Sequence, residues 1–537
     1  MKQKNNLPFA PFLLALYPIV ALYSRNPGEL LPSTLIRPGL IGLLAAGLLF
    51  FLIYHATKDL YRAVLLGSIG VLFLSASGHV YRIIKSDYLP GIGNWFHLLL
   101  IGIEILLLVF LSQKSVWMRL KPSRWQTNAL TYINLFAVLT FAVPFYQIGL
   151  FWITAYDDAP RPWSSYVENI PATLSLPTQP PDIYYIILDG YGQTEMLDNI
   201  YSFDNSEFVE FLKSNGFYIA EKSRSNYIQT PLSLSSTLNM GYLDFAAKLA
   251  GENTFNRLPL YELLGNNHSL RLLRNAGYTF ITTETGYTFT EITSAEYFFS
   301  PFTNNLNGLE SYYVSTTALD ALIEANSPVS DTLFSLFPPA GYRAYGERMI
   351  FSLQKLSDIA KMGEANPKFV FIHVVGPHPP FVFDSEGNHL SIDKPFLSGD
   401  GMGFATSTAD YQRSYIEQLK YVNTLTRNAI EAILVNSDQP PIIIIQGDHG
   451  PGSLLNRDNL STSCMYERAS ILNAYHFPDQ NYIALYPSIT PVNSFRVIFN
   501  QFFGQNLSLL PDKTWFSPQS FPYRFTDISD QITNTCP

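Results

Sequence analysis

An Asp and a His stand side by side at Asp448 and His449, directly after the run Ile442 to Ile445 and the pair Gln446-Gly447. One offers an oxygen lone pair and the other a nitrogen lone pair, a donor set suited to zinc or manganese. A short apolar run of β-branched residues reads as a strand buried on both faces of a parallel sheet. Such a strand delivers whatever follows it to the carboxyl edge of the sheet, where α/β proteins bind their ligands. The run Ile183 to Leu188 is of the same kind and ends in Asp189-Gly190. A third strand, Lys368 to Val375, carries His373 and runs into Gly376-Pro377-His378. Three strand ends bearing ligand-type residues point to one site.

A hydroxyl joins this set at Thr230, within Asn226-Tyr227-Ile228-Gln229-Thr230-Pro231-Leu232-Ser233-Leu234-Ser235-Ser236. Pro231 suits a first helical position, which predicts Thr230 at the N-cap. There its oxygen sits beside unpaired N–H groups and the positive end of the helix dipole, where anions are favoured. Each feature alone has an ordinary reading: a turn for Asp-Gly, a cap for Thr230, packed histidines for His373 and His378. Their occurrence together in one sheet is what favours chemistry. Arg224, Asn226 and His476 read as structural residues.

Positioning them requires a sheet. From Asp182 onward, strand-like and helix-like stretches alternate: a helix near Ser206 to Ser214 capped by Asp204 or Asn205, helical Leu258 to Asn275, a strand over Tyr278 to Thr282, helical Glu347 to Ile359, and a long amphipathic helix over Ala409 to Val435. That alternation predicts an α/β domain with a mostly parallel central sheet, helices on both faces.

Ahead of it the composition changes. Apolar segments of spanning length recur at about Leu7–Tyr23, Leu40–Ala56, Ala63–Ile84, Trp95–Leu111 and Leu130–Trp152. These predict an N-terminal bundle of about five transmembrane helices over residues 1–156, a Pro/Ser/Thr-rich linker over 157–181, and a catalytic domain over 182–537. Lys2, Lys4, Lys58, Arg62, Lys114, Arg119, Lys121 and Arg124 fall in alternate loops. The excess of positive charge on that side places the N-terminus in the cytoplasm and the catalytic domain outside it, in a multi-pass inner (plasma) membrane protein. His55 and His79 lie near spans and read as interfacial. The net charge of −9 and the lack of a basic run in the outer part argue against nucleic acid as a partner. The only two cysteines, Cys464 and Cys536, both fall in the outer domain, free or paired.

With these motifs the chain resembles the alkaline phosphatase/sulfatase superfamily, specifically the membrane-anchored branch of lipoteichoic acid synthases and phosphoethanolamine transferases. The resemblance covers about Asp182 to Pro487. It implies one zinc or manganese ion held by Asp189, Thr230, Asp448 and His449, with Thr230 as nucleophile. His373-x-x-Gly376-x-His378 resembles the transferases' His-x-x-Gly-x-His segment, which implies that His378 faces the phosphate and His373 assists. Two departures stand out: Asp189 replaces the Glu usual in lipid-modifying transferases, and Pro451 replaces a Glu after Asp-His-Gly. The Cys/Ser-x-Pro-x-Arg segment of sulfatases is absent around Thr230.

The expected activity is transfer of a phosphate-linked group, such as phosphoglycerol or phosphoethanolamine, from a membrane lipid donor to a glycan or lipid acceptor through a phospho-threonine intermediate. A phosphodiesterase or phosphatase of the same superfamily, and a non-catalytic membrane receptor or transporter, are the alternative readings.

Overall fold

The computed structural model describes residues 8–89, 92–113, 124–154, 162–167, 170–302, 306–323, 341–390, 392 and 399–536. Lys2, Lys4, Lys114, Arg119 and Lys121 of the charge pattern, and residues 157–161 and 168–169 of the predicted linker, lie outside the described residues. Two compact units emerge. One joins Met1–Tyr156 to Asn304–Gly341 and Asp393–Leu397; the other joins Asp157–Thr303 to Tyr342–Ile392 and Ser398–Pro537. The chain beyond the spans therefore contributes to both.

In the first unit, four helical stretches among the described residues are long and apolar enough to cross a membrane: Pro32–Thr57, Leu60–Ile83, Trp95–Ser112 and Leu130–Thr154. The remaining expected span is the shorter apolar helix Ala10–Arg25, 16 residues with Pro18 inside it. The last stretch is two helices, Arg124–Thr140 and Ala142–Thr154. Pro144, which has no N–H to return to the preceding turn, accounts for the break between them. Leu44 (73% exposed), Leu106 (69%) and Val143 (62%) face outward, as side chains meeting lipid would. Ala10, Leu14, Ala46, Val64 and Ala137 fill the interior.

Helices Gly308–Thr316 and Leu319–Ile323, far along the chain, belong to this unit. The first opens with a reciprocal cap between Asn307 and Glu310. Glu310 pairs with Arg37 through Nε at 2.6 Å, and Asp320 pairs with Arg82 at 2.5 Å. Gly78 permits the approach, since a Cβ there would stand 2.5 Å from the Thr316 carbonyl carbon.

The second unit is the α/β domain. The strands of its main sheet are β1 (Ile183–Leu188), β2 (Tyr218–Ile219), β3 (Thr279–Thr283), β4 (Tyr297–Phe299), β5 (Lys368–Val374), β6 (Ile442–Gln446) and β7 (Asn473–His476). They form one sheet in the order β2-β7-β6-β1-β5-β3-β4. Neighbours are parallel except around β7, which runs against both β6 and β2. Ile183, Tyr185 and Ile187 pack into a large core with Ile442, Ile444, Phe369 and Phe371. The alternating residues Tyr184, Ile186 and Leu188 are equally buried, so both faces are covered, as the unbroken apolar runs require. Cys464 and Cys536 are bridged by a disulfide with Cα atoms 4.7 Å apart.

Candidate active site

The central strand β1 lies between β5 and β6, with Ile187 level with His373 on one side and Gln446 on the other. Three adjacent parallel strands thus end together. Their carboxyl edge carries Asp189, His373, Asp448 and His449, all buried.

Thr230 arrives from helix Thr230–Asn239. The Gln229 carbonyl accepts from the Leu232 and Ser233 N–H groups at 3.1 and 2.9 Å, which makes Gln229 the N-cap. Thr230 is therefore the first helical residue and Pro231 the second, one position later than the sequence suggested. The Ser233 hydroxyl donates to the Asp448 carbonyl at 2.7 Å, tying this first turn to the Asp-His turn. Thr230 Oγ1 ends 3.1 Å from His449 Nε2.

Asp189, Asp448 and His449 each keep one donor atom in reserve. His449 Nδ1 spends its proton on the Gly450 carbonyl at 2.9 Å, leaving Nε2 as an acceptor. That nitrogen is 3.5 Å from Asp189 Oδ1 and 3.4 Å from Asp448 Oδ2. Asp448 Oδ1 accepts the Gly190 N–H at 3.1 Å. Asp189 Oδ2 takes the His373 Nε2 contact at 3.2 Å, while His373 Nδ1 meets the Thr290 hydroxyl at 2.8 Å. Asp189 Oδ1 and Asp448 Oδ2 are buried and have no hydrogen-bond partner.

Two orphaned carboxylate oxygens in the interior are costly unless a cation meets them. Ligand atoms around a tetrahedral zinc at about 2.0–2.1 Å stand about 3.3–3.4 Å from one another. The spacings of 3.1, 3.4 and 3.5 Å around His449 Nε2 match that edge. On the three edges that meet at His449 Nε2, the set Asp189, Thr230, Asp448 and His449 fits a divalent ion. Two overlapping sets, Asp189 with His378 and His449, and Asp189 with His373 and Asp448, have ligand atoms within 4.8 Å of one another.

Electrostatics separates these side chains by role. Burial opposes ionisation of Asp189, but His378, the hydrogen bond from His373 and His449 together hold its carboxyl well below the usual range. Burial and the nearby Arg468 keep His449 below the ordinary histidine value, so it stays neutral, as a metal ligand must. Burial also opposes charge on His378, yet Asp189 and Asp400 raise it to about 9. A protonated His378 directs Nδ1–H to the Pro379 carbonyl at 2.5 Å and Nε2–H toward Asp400 Oδ1 at 3.6 Å. It then offers N–H groups rather than lone pairs, which suits an anion better than a cation.

Two members of this neighbourhood escaped the sequence reading. Asp400 sits in Gly399-Asp400-Gly401, which reads as a turn, and Arg468 sits in Tyr466-Glu467-Arg468, which reads as a solvated face. The adjacent charges Glu467 and Arg468, inside the largely apolar stretch from Met465 to Leu472, were the available signal. Other candidates are structural: Asn226 holds Thr490, the Lys513 carbonyl and the Val492 N–H, Arg224 holds the Ser529 and Ile532 carbonyls, and His476 bonds the Pro441 carbonyl.

No protein-family model matches the sequence, and no curated protein matches it. Solved structures do. The C-terminal periplasmic domain of EcEptC from Escherichia coli, in complex with zinc, aligns over 67% of this chain and 96% of its own at 10% identity and a TM-score of 0.42. The integral membrane lipooligosaccharide phosphoethanolamine transferase A from Neisseria meningitidis aligns over 93% of this chain and 95% of its own, at 12% identity and a TM-score of 0.37. A protein in the alkaline phosphatase superfamily from Vibrio parahaemolyticus aligns over 67% and 80%, at 10% identity and a TM-score of 0.37.

Proposed function

We propose that this chain is a membrane-anchored, metal-dependent transferase that moves a phosphate-linked group from a lipid donor to a glycan or lipid acceptor outside the cytoplasm. One observation carries the reading: the buried, unpartnered Asp189 Oδ1 and Asp448 Oδ2 and the hydroxyl of Thr230 all lie within 3.5 Å of His449 Nε2. Asp189, Asp448, His449 and Thr230 hold one divalent ion, zinc or manganese. Such an ion supplies the positive charge that lowers the pKa of a hydroxyl and offsets charge on a phosphate.

Thr230 Oγ1, its proton released to solvent, then attacks phosphorus; its bond to phosphorus forms as the bond to the leaving oxygen breaks and that oxygen takes a proton from His378, leaving a phospho-threonine and a free alcohol. His378, charged and 12% exposed at its side chain, has Nε2 3.6 Å from Asp400 Oδ1, beyond a full hydrogen bond, so this N–H is open to a phosphate oxygen or the departing alcohol. His373 keeps Asp189 turned so that Oδ1 faces the ion. An acceptor hydroxyl reverses the first step and frees Thr230. The helices of spanning length anchor the chain in a membrane, a source of lipid donors, so no nucleotide is required.

The test is mass spectrometry of the purified full-length protein after incubation with vesicles containing phosphatidylethanolamine or phosphatidylglycerol. A headgroup-phosphate adduct on the Thr230 peptide is expected. An adduct on Ser233, Ser235 or Ser236 reassigns the nucleophile, release of free headgroup phosphate to water assigns a hydrolase, and an unmodified protein with bound zinc removes the covalent mechanism.

A further inference from the structure

Arg468 is buried, and its guanidinium spends all three edges on different segments. Nε donates to the Ile228 carbonyl at 2.9 Å, two residues before Thr230. Nη1 donates to the Gly450 carbonyl at 3.1 Å, one residue after His449. Nη2 meets Asp400 Oδ2 at 2.5 Å. A planar, rigid fork of this kind fixes the mutual placement of the groups it bonds.

Asp400 is fixed as firmly. Its Oδ1 accepts the Gly401 N–H at 2.7 Å, in a turn where Gly401 takes a φ of +76° that a larger residue would resist. The backbone also passes close on the other side: a Cβ on Gly452 would stand 3.1 Å from this same oxygen. The carboxylate so held points its Oδ1 at His378 Nε2 from 3.6 Å.

The main chain of His378 is pinned independently. Its N–H donates to the Asp189 carbonyl at 2.9 Å, and its carbonyl accepts from Gln418 Nε2 at 3.0 Å and from the Tyr345 hydroxyl at 3.1 Å. Only the ring is left to orient. Nδ1 has a partner one residue away, at the Pro379 carbonyl, and Nε2 has Asp400.

We propose that Asp400, locked by Arg468, is a positioning residue that holds the His378 ring at the ligand edge, where a ring nitrogen lies within 4.8 Å of the ligand atoms of Asp189 and His449. The proposal rests on the phosphoryl-transfer reading above and adds to it the residues that orient its N–H donor. Asp400 has a second effect of the same origin. A buried guanidinium beside a cation site repels the cation, and the Asp400 carboxylate cancels that charge on the spot. Neither role makes Asp400 a ligand, since its oxygens are already committed to Arg468 and Gly401.

The test compares full-length wild type, Asp400→Asn, His378→Gln and the double variant, using bis(4-nitrophenyl) phosphate and phosphatidylethanolamine vesicles as probes. The structure of the Asp400→Asn protein is determined alongside. Loss of an outer partner of this kind costs about 10- to 100-fold. We expect kcat for Asp400→Asn to fall within that range while KM and zinc content hold, the His378 ring to turn away, and the substitution to cost nothing further in the His378→Gln background. A wild-type kcat in Asp400→Asn, an unmoved ring, or a full additive loss in the double variant overturns the proposal. Wild-type protein that turns over neither probe overturns the functional reading instead, and the ring position then decides the Asp400–His378 relation by itself. Arg468→Lys keeps the charge but loses the fork, and supplies the same readouts where Asp400→Asn fails to fold.

Discussion

His449 Nε2 lies 3.1 Å from Thr230 Oγ1 although 219 residues separate them. Nothing local brings them together. The contact exists because β6 pairs with β1 and because Ser233 fastens the Thr230 helix to the Asp448 carbonyl. Replacing Thr230 with Ala removes the attacking oxygen and leaves that framework intact. Transfer activity is expected to fall by about three orders of magnitude or more, as for other lost nucleophiles, with the melting temperature within a few degrees of wild type. Thr230→Ser keeps an oxygen and should retain measurable turnover and a modified peptide. Activity in Thr230→Ala equal to wild type would remove Thr230 from the chemistry.

Removing the ion should be felt as instability as well as inactivity. Asp189 Oδ1 and Asp448 Oδ2 lack hydrogen bonds, so an uncompensated pair of buried carboxylates repel each other when the cation leaves. Chelation of purified protein is expected to lower its melting temperature, and added zinc or manganese to restore it by mass action. Asp448→Asn removes one of those charges, so it should bind metal more weakly and lose less stability on chelation than wild type does. Elemental analysis with thermal melts in the presence and absence of chelator measures both; an unchanged wild-type melt with full metal removal would contradict the site.

How much of this was readable beforehand follows the physics of each element. Ile183–Leu188 is found as a strand with the bounds expected, and Ile442–Gln446 extends one residue past the isoleucines, because long apolar β-branched runs have few other uses. The helix Ser206–Ser214 also matches, with Asn205 at its N-cap and Asp204 accepting the Ser206 N–H. Leu258 to Asn275 is two helices instead of one; Asn267 breaks them by capping the second with its side chain. The short edge strands β2 and β4, and the equally short β7 between β2 and β6, carry no periodic signal, and the reversal of β7 depends on pairing that the sequence alone does not express. The ligands were legible since they terminate strands, whereas Asp400 and Arg468 meet only through tertiary folding. The spans were readable from apolar length, but the docking of Gly308–Thr316 and Leu319–Ile323 with the helical unit rests on the partners of Glu310 and Asp320.

His268 gives the α/β unit a defined response to acid. Its Nε2 bonds the Ser164 carbonyl at 2.7 Å and its Nδ1 faces Arg271 Nη2 at 2.7 Å. The first must carry the proton and the second must accept, so a further proton at Nδ1 would confront Arg271. Burial, then Arg271, lowers this histidine from 6.5 to about 4. The unfolded chain therefore binds a proton that the folded one refuses between those values. The contribution is complete above pH 6.5, declines as pH falls toward 4, and changes no further below that. Fluorescence of Trp163, buried next to Ser164, can follow unfolding across this window. His268→Gln, which can accept from Arg271 and donate to Ser164, should show a shallower decline; an identical slope in both proteins would refute the assignment.

In the helical unit, Arg82 and Asp320 should prove energetically coupled. Arg82 ends helix Leu60–Ile83, and its guanidinium contacts both the Asp320 carboxylate at 2.5 Å and the Ser315 carbonyl at 3.0 Å. The side chains are 14% and 9% exposed, so solvent does little to screen either charge. Removing the arginine alone strands a nearly buried carboxylate, a change that costs about 3–5 kcal/mol. Removing both charges costs less than the two single losses combined, because the second deletion eliminates the group that the first left without its counter-ion. A double-mutant cycle of Arg82→Ala and Asp320→Ala in detergent, read by chemical denaturation, is expected to show a coupling of about 1–3 kcal/mol. Additive losses would mean that the two charges do not sense one another, and that the Arg37–Glu310 pair and the Gly78–Thr316 approach hold these helices to the unit without them.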